Sequence, residues 1–237
     1  FYSEGSPFWD SLFLMGEKDM YNYILFDLDG TLTDPKEGIT NSVAYALMSY
    51  GIKENPDKLT PFIGPPLHES FMVYYNFDEK KAMEAVDKYR EYFADKGIFE
   101  NKLYPETEDF LKTLRAAGKK IALATSKPEI FAKRILEYFH IDGYFDAVVG
   151  SNMDGSRTKK AEVIAEVFER LQASEGKRPE KSEMVMIGDR LHDIAGAAEN
   201  DIDSIGVTFG YGGYDELYKA GANYIADCFE ETKKWIL

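Results

Sequence analysis

The chain has 237 residues, and its 28 Lys and Arg against 42 Asp and Glu give a formal net charge of −14. No basic stretch interleaved with aromatic residues is present, which argues against nucleic acid as a partner. No apolar run approaches the roughly 20 residues that span a bilayer, and Cys228, the single cysteine, cannot form an internal disulfide. We therefore expect a globular protein in a reducing, cytoplasmic compartment, with neither a nucleic-acid nor a membrane partner.

Residues 1–20 contain a short apolar patch without a basic start or a cleavage site of small residues, so they do not indicate a secretory signal. We treat this stretch as an N-terminal extension, either a leader or residues added to the natural chain. The functional interpretation begins at residue 21.

From residue 21 onward, short apolar runs typical of buried strands alternate with amphipathic stretches typical of helices. Strands are predicted at 23–27, 120–125, 145–149, 183–188 and 202–207, with a weaker one at 223–226. Helices are predicted at 106–118, 128–139, 160–172, 191–200 and 214–220. This alternation predicts an α/β fold, in which a Rossmann-like parallel sheet is sandwiched by helices.

About 75 residues between the first strand and the helix at 106 interrupt this alternation. A structureless loop of that length is implausible in a compact domain, so we predict an inserted helical subdomain, a cap. Its helical patterns lie at 38–50, 67–76 and 79–97. The predicted domains are a core at 21–35 and 105–237 and the helical cap at 36–104.

Polar side chains follow the predicted strands, at the carboxyl edge where open α/β sheets bind ligands. In chain order they are Asp27 and Asp29, Thr125 and Ser126, Lys159 and Lys160, and Asp189 and Asp193. Four carboxylates in one crevice repel one another unless a cation joins them, and an oxygen-only set favours Mg²⁺ over zinc. A lysine and hydroxyl groups beside such a metal site make a receptor for phosphate.

In this order, the motifs resemble the four motifs of the haloacid dehalogenase (HAD) superfamily. The matching segments are "DLDGT" at 27–31, "LATSKP" around Thr125 and Ser126, a lysine before a helix, and "GDRLHD" at 188–193. The resemblance covers about residues 21–228 and is closest to the phosphoglycolate phosphatase-like branch, through "DLDGTLTDPKEGI", "FIGPPL", "GDRLHDIAGAAEN" and "GVTFGYGGYDEL". It implies a HAD-like core with a helical cap placed after the first motif.

The resemblance also implies roles for individual residues. Asp27 would attack phosphorus and form an aspartyl-phosphate, while Asp29 would act as general acid and then general base. Phosphate binding is implied for Gly30, Thr125, Ser126 and Lys160, and Mg²⁺ binding for Asp27, Asp29 through its carbonyl, Asp189 and, in support, Asp193. Lys160 is preferred as the lysine of the third motif because it directly precedes the predicted helix, but Lys159 is a rival.

We therefore expect a Mg²⁺-dependent phosphatase that acts on a small phosphorylated metabolite and uses its cap to select the leaving group. Phosphoglycolate is the first substrate that the resemblance suggests, and a nucleoside 5'-monophosphate is the alternative. A sugar phosphomutase is a weaker candidate, and a non-catalytic phosphate-binding module is the weakest. The sequence leaves the oligomeric state open.

Overall fold

A computed structural model describes residues 21–237, so the predicted N-terminal extension at 1–20 lies outside the described residues. The strands of this part of the chain are β1 (Tyr23–Phe26), β2 (Thr33–Asp34), β3 (Lys102–Leu103), β4 (Lys120–Pro128), β5 (Ala147–Ser151), β6 (Met184–Gly188), β7 (Asp203–Val207) and β8 (Tyr224–Ala226). Its α-helices are α1 (Lys36–Met48), α2 (Leu67–Tyr75), α3 (Glu79–Tyr92), α4 (Thr107–Ala116), α5 (Glu129–Tyr138), α6 (Lys160–Glu175), α7 (Leu191–Glu199), α8 (Tyr214–Ala220) and α9 (Phe229–Lys233).

Six of these strands form one parallel sheet with the spatial order β5-β4-β1-β6-β7-β8. The sheet confirms the predicted fold class, and each of its strands overlaps a run that the sequence predicts. β1 lies in the middle and pairs in parallel with β4 on one side and β6 on the other. The loops that follow these three strands therefore meet at one edge of the sheet.

The side chains of β1 show why its apolar run forms a central strand. Ile24 and Phe26 pack into the hydrophobic cluster on one face of the sheet, and Leu25 packs into the cluster on the other face. All three are fully buried, and burying such a side chain stabilises the fold by roughly 1.5–3 kcal/mol. A strand covered on both faces needs apolar residues at every position, which is the pattern of 23–26.

Helices α1, α2 and α3 lie between β2 and β3 in the chain. β2 and β3 form a separate antiparallel pair, in which Thr33 lies opposite Leu103 and Asp34 opposite Lys102. These strands are not predicted from the sequence, because two residues are too few to show a period. Within this insertion, Phe62 packs against Phe71 of α2 with ring centroids 5.0 Å apart, and both rings belong to the same hydrophobic cluster as Ile24 and Phe26 of β1.

Several element boundaries differ from the predicted ones. The helical pattern at 79–97 is α3 followed by a π-helical turn, Phe93–Gly97, and a 3₁₀ helix occupies Pro56–Phe62. β4 continues to Pro128, beyond the predicted end at 125, because its last residue pairs with Ser151 after a register shift. Within residues 21–237, no helix has both the length and the apolar character needed to cross a membrane.

Candidate active site

Three buried carboxylates meet at the carboxyl edge of the sheet. Asp27 follows β1, Asp189 follows β6, and Asp193 lies in the first turn of α7. One carboxylate oxygen from each lies within 4.8 Å of the others. Because β1 and β6 are neighbouring parallel strands, their ends bring residues together that are 162 positions apart in the sequence.

Burial and mutual repulsion raise the pKa values of two of these carboxyl groups. Burial, followed by the charges of Asp193 and Asp27, raises the pKa of Asp189 well above its ordinary value. Burial raises the pKa of Asp193 to about 6, although the neighbouring Lys160 opposes this change. The folded chain thus holds carboxylates in a place where a further positive charge would stabilise them.

Lys160 supplies one such charge. Its Nζ atom lies 2.8 Å from Asp27 Oδ1 and 2.8 Å from Asp193 Oδ1, and donates to the Ala124 carbonyl at 2.8 Å. Burial alone would lower the pKa of Lys160, but the two carboxylates reverse the effect and the pKa lies above its usual value. Lys160 is the first residue of α6, whereas Lys159 is exposed. The structure therefore brings Lys160, and not Lys159, to the carboxylates.

Asp29 is paired with a lysine that the sequence analysis did not select. Lys127 Nζ lies 2.8 Å from Asp29 Oδ2 and 4.4 Å from the centre of the Phe93 ring, which belongs to the π-helical turn. Burial raises the pKa of Asp29, and the charge of Lys127 opposes the rise. The other oxygen, Asp29 Oδ1, is buried without a hydrogen-bond partner among residues 21–237. The sequence feature that could have pointed to Lys127 is its position directly after Thr125 and Ser126.

The two hydroxyl residues and the glycine take different places. Thr125 and Ser126 line the same cavity as Asp27 and Asp29, and Thr125 Oγ1 accepts a hydrogen bond from the backbone N–H of Lys127 at 3.2 Å. Gly30 instead packs against Asp189, since a Cβ atom there would lie 2.2 Å from Asp189 Oδ2. Gly30 also has a φ of +90°, which side chains disfavour.

The segment "GYGGY" at 210–214 forms a close-fitting cradle around Asp189. The backbone N–H of Tyr211 donates to Asp189 Oδ2 at 2.7 Å. A Cβ atom at Gly210 would lie 2.4 Å from Asp189 Cβ, and one at Gly212 would lie 2.0 Å from the Asp189 carbonyl oxygen. The Tyr211 hydroxyl donates to Asp34 on β2. This role is not visible in the sequence, because the contact joins segments that are distant in the chain.

A cavity of about 350 Å³ opens over these groups, between the sheet edge and the inserted helices. Its core side includes Asp27, Asp29, Thr125, Ser126, Lys127, Lys160 and Asp193. Its other side includes one stripe of α3 and the turn after it, formed by Glu79, Met83, Val86, Arg90 and Phe93. Successive steps of four and three residues place these side chains on one helix face. A further part of the wall comes from the loop and first turn of α2 at 64–68, and another from residues between 151 and 158.

The donor set fits a hard divalent cation. When ionised, the three carboxylates against the single ammonium of Lys160 leave a formal charge of −2. The side-chain donor atoms grouped here are carboxylate oxygens, which hard cations prefer. The glycines beside Asp189 leave no room for another side chain next to its carboxylate. Asp27, Asp189 and Asp193 are the residues that could hold such an ion.

Comparisons with known proteins place the chain in a family. A family model described as haloacid dehalogenase-like hydrolase matches residues 24–207. The chain is 48% identical over 199 residues to a 5'-nucleotidase of Pseudomonas aeruginosa, with 83% of this chain and 87% of that protein covered. It is 31% identical over 172 residues to a phosphoglycolate phosphatase of Aquifex aeolicus, with coverages of 72% and 77%.

Two further similarities concern a kinase and a solved structure. The chain is 38% identical over 203 residues to tyrosine-protein kinase PtkA of Mycobacterium tuberculosis, with 85% of this chain and 67% of that protein covered. The crystal structure of a predicted phosphatase from Clostridium acetobutylicum matches with a TM-score of 0.85 and 50% identity, over 91% of this chain and 97% of that one. The chain therefore belongs to the haloacid dehalogenase-like hydrolase family, and its phosphatase relatives identify it as a phosphoric monoester hydrolase.

Proposed function

We propose that this protein is a Mg²⁺-dependent phosphatase that hydrolyses a small phosphomonoester through a phosphorylated Asp27. The convergence of Asp27, Asp189 and Asp193 within 4.8 Å, with Lys160 bridging two of them, carries this proposal. Asp27 and Asp189 would hold Mg²⁺ together with the Asp29 carbonyl, and Asp193 would support them. When bound, the ion supplies positive charge that reduces the repulsion between the phosphate and the carboxylates.

The residues of the chain would carry out two steps. In the first, an Asp27 oxygen forms a bond to phosphorus as the ester oxygen leaves, and Asp29 gives the leaving oxygen a proton. In the second, Asp29 takes a proton from water as the water oxygen attacks phosphorus and releases phosphate from Asp27. The raised pKa of Asp29 suits this alternation, because burial favours the protonated carboxyl group that the first step needs as an acid.

Other groups would bind the phosphoryl group and hold the nucleophile. The Thr125 hydroxyl and the Ser126 backbone N–H are proposed to bind phosphoryl oxygens, since both residues line the cavity beside Asp27. Lys160 would keep Asp27 in position and offset part of the phosphate charge. Gly30 would contribute by allowing the chain to pass closely beside Asp189.

The cavity favours a nucleoside 5'-monophosphate over phosphoglycolate, the reverse of the order that the sequence resemblance suggested. We propose that residues 36–104 act as a cap whose face over the cavity includes Met83, Val86 and Phe93. A cavity of about 350 Å³, in which these three apolar side chains share the α3 stripe with Glu79 and Arg90, suits a leaving group of nucleoside size better than the much smaller glycolate. The 48% identity to a 5'-nucleotidase supports the same order. Phosphoglycolate is the second candidate, supported by the Aquifex relative.

A paired lysine experiment tests the proposed chemistry. Phosphate release from AMP, phosphoglycolate and p-nitrophenyl phosphate is measured with Mg²⁺ and with excess chelator, for the wild type, Lys160→Ala and Lys159→Ala. We expect chelation to abolish release and Lys160→Ala to lower kcat/KM by about 10²-fold or more, because it leaves buried carboxylates without their ammonium. Lys159→Ala, an exposed matched control, should retain wild-type rates.

Two outcomes would contradict the proposal. The first is full activity of Asp27→Asn or of the wild type in chelator. The second is phosphotransfer from ATP to a tyrosine peptide without release of phosphate from any of the three esters, which would favour a kinase like the Mycobacterium relative. A higher kcat/KM for phosphoglycolate than for AMP would restore the original substrate order.

A further inference from the structure

Arg190 joins the carboxylate site to the inserted helices. It directly follows Asp189, and its Nη1 atom donates to the carbonyl oxygen of Ile63 at 2.8 Å. Its Nε atom donates to Glu216 Oε1 at 2.8 Å, and the same oxygen accepts from the backbone N–H of Leu191 at 2.9 Å. Only 19% of the Arg190 side chain is exposed. Hydrogen bonds from two nitrogens of one planar group fix its orientation.

The carbonyl that Arg190 binds lies at the start of a cavity wall. Ile63 directly follows the 3₁₀ helix Pro56–Phe62 and precedes the loop at 64–66, which leads into α2. Residues 64–68 line the cavity over Asp27 and Asp29. The loop contains Pro65 and Pro66, whose rings restrict φ. Two proline rings limit the ways in which this short loop can bend, so the hydrogen bond at Ile63 constrains where the residues after it lie.

Gly64 shows that the contact with Arg190 is closely fitted. A Cβ atom at this position would lie 2.7 Å from Arg190 Nη1. Gly64 has a φ of +102°, a conformation that residues with side chains rarely adopt. The glycine therefore allows the guanidinium to approach the backbone closely enough to bind the preceding carbonyl.

The same residue is also tied to the carboxylate site through its backbone. The N–H of Arg190 donates to Asp193 Oδ2 at 3.1 Å, and Asp193 Oδ1 lies 2.8 Å from Lys160 Nζ. The segment that carries Asp189 and Asp193 thus also anchors a wall of the leaving-group cavity. A shift of the segment 189–193 would therefore reach the loop at 63–68 through the Arg190 side chain.

We propose that Arg190 is a positioning residue that holds the 63–68 loop over the phosphate site and thereby selects the leaving group. Its hydrogen bond to Ile63 keeps Gly64, Pro65, Pro66, Leu67 and His68 in place against the bound substrate. A large leaving group uses this wall for binding, and a small ester uses it less. The kinetic part of this inference rests on the proposed phosphatase function, whereas the structural part does not.

The experiment compares Arg190→Met, which removes every guanidinium donor, with Arg190→Lys, which keeps the charge but loses the planar fork. Lys181→Met is the matched control, since it removes a cation from an exposed pair with Asp201 that is remote from the cavity lining. Two quantities are measured on each folded variant. They are amide hydrogen exchange of the 62–70 segment and kcat/KM for AMP relative to p-nitrophenyl phosphate at saturating Mg²⁺.

We expect Arg190→Met to speed exchange in the 62–70 segment by about tenfold or more, the size expected for losing one charge-assisted hydrogen bond. The ratio of kcat/KM for AMP to that for p-nitrophenyl phosphate should fall by a similar factor, mainly through the KM for AMP. Arg190→Lys should give values between those of Arg190→Met and the wild type, both for the exchange rate and for the kcat/KM ratio. Lys181→Met should match the wild type in both measurements.

Unchanged exchange of the 62–70 segment in both arginine variants would overturn the proposal. An equal loss of activity on the two substrates would also overturn it, because Arg190 would then act on the chemical step rather than on the leaving group. If the wild type hydrolyses neither ester, the proposed function fails by itself. The exchange measurement still decides whether Arg190 holds the loop.

Discussion

At the scale of single residues, each of the two aspartates in the "DLDGT" segment pairs with a different lysine. Lys160 Nζ lies 2.8 Å from Asp27 Oδ1, and Lys127 Nζ lies 2.8 Å from Asp29 Oδ2. A buried carboxylate without a partner is costly, so each of these pairs accounts for one charge at the end of β1. Asp189 has no such lysine among the ion pairs of residues 21–237, and in the proposed function a bound Mg²⁺ would offset its charge.

The two proposed tasks of Asp29 can be separated with Asp29→Asn. A p-nitrophenolate leaving group needs no proton, so the first step should survive and give a burst of about one p-nitrophenolate per active site. The second step still needs a base, and its loss typically slows a reaction by about 10²–10⁴-fold. Stopped-flow absorbance would show the burst followed by very slow turnover, and an alkyl phosphate should give no burst. Steady turnover of both substrates at the wild-type rate would exclude Asp29 as the acid and base.

Lys127 gives a prediction about pH. Its charge opposes the rise that burial causes in the pKa of Asp29, so Lys127→Met should raise that pKa further. The second step needs ionised Asp29, and the acidic limb of the kcat profile for p-nitrophenyl phosphate should therefore move to higher pH. Lys159→Met, an exposed control, should leave the profile in place. An acidic limb that stays put or moves to lower pH in Lys127→Met would contradict this assignment.

At the scale of elements, β5 is an edge strand whose carbonyls are covered by arginine side chains. Arg170 Nη1 donates to the Val148 carbonyl at 2.7 Å, and Arg157 Nε donates to the Gly150 carbonyl at 2.9 Å. Glu129, the first residue of α5, accepts from Arg170 at 3.1 and 2.8 Å and so holds that guanidinium in place. Covering an edge in this way blocks pairing with another strand.

The Glu129 network predicts a pH-dependent contribution to stability. Burial would raise the pKa of Glu129, but hydrogen bonds from Arg170 and Lys133 outweigh it and lower the pKa to about 2. A lowered folded-state pKa means that the stabilisation is present above the ordinary pKa of 4.5 and is lost as the pH falls towards 2. Glu129→Gln should cost about 1–3 kcal/mol of unfolding free energy at pH 7, as expected for hydrogen bonds to a charged group.

Urea unfolding from pH 7 to pH 3 measures this difference. The difference in unfolding free energy between the wild type and Glu129→Gln should narrow as the pH falls below about 4.5, because protonation of Glu129 in the wild type removes the stabilisation that its charge provides. Glu169→Gln, in an exposed pair with Arg178, is the control and should show a small effect at every pH. A gap that is constant with pH would mean that the charge of Glu129 is not what stabilises the edge.

At the scale of the whole molecule, the site is assembled from distant parts of the chain. The loop after β1 contributes Asp27, the loop after β6 contributes Asp189, and α3 contributes the wall that includes Val86. Tyr211 donates from its backbone to Asp189 and from its hydroxyl to Asp34, so it links the carboxylate site to the β2–β3 pair at the base of the inserted helices. Ligand binding at such a junction should stabilise the entire fold.

Mg²⁺ should therefore raise the melting temperature of the protein. An ion at 100 times its Kd adds about 2.7 kcal/mol of stability, which corresponds to roughly 5–10 °C for a protein of this size. Gly210→Ala should remove most of this gain, because its Cβ atom would lie 2.4 Å from Asp189 Cβ. Gly213→Ala, where a Cβ atom meets nothing within 4 Å, is the matched control. Calorimetry measures this gain. A rise in melting temperature with Mg²⁺ that is as large in Gly210→Ala as in Gly213→Ala would show that the cradle around Asp189 is not needed for Mg²⁺ binding.

The sequence by itself determined the sheet and the edge at which polar groups gather. Strands buried on both faces must be apolar at every position, so runs such as 23–26 and 184–188 are visible without any structure. Parallel strands end at one edge, and this places the residues that follow them together. For that reason Asp27 and Asp189 could be assigned to the same edge of the sheet from their positions alone, whereas the pairing of β1 with β6 came from the structure.

Only the tertiary structure decided the contacts that join distant segments. Lys159 and Lys160 differ by one position at the start of α6, and which of them is buried depends on what packs against that turn. β2 and β3 are too short to show a period, and they exist because 33–34 and 102–103 meet. Arg190 donates a hydrogen bond to the Ile63 carbonyl, which lies 127 positions away in the chain. Contacts of this kind leave no local pattern, because their energy comes from groups that neighbour one another only after the chain has folded.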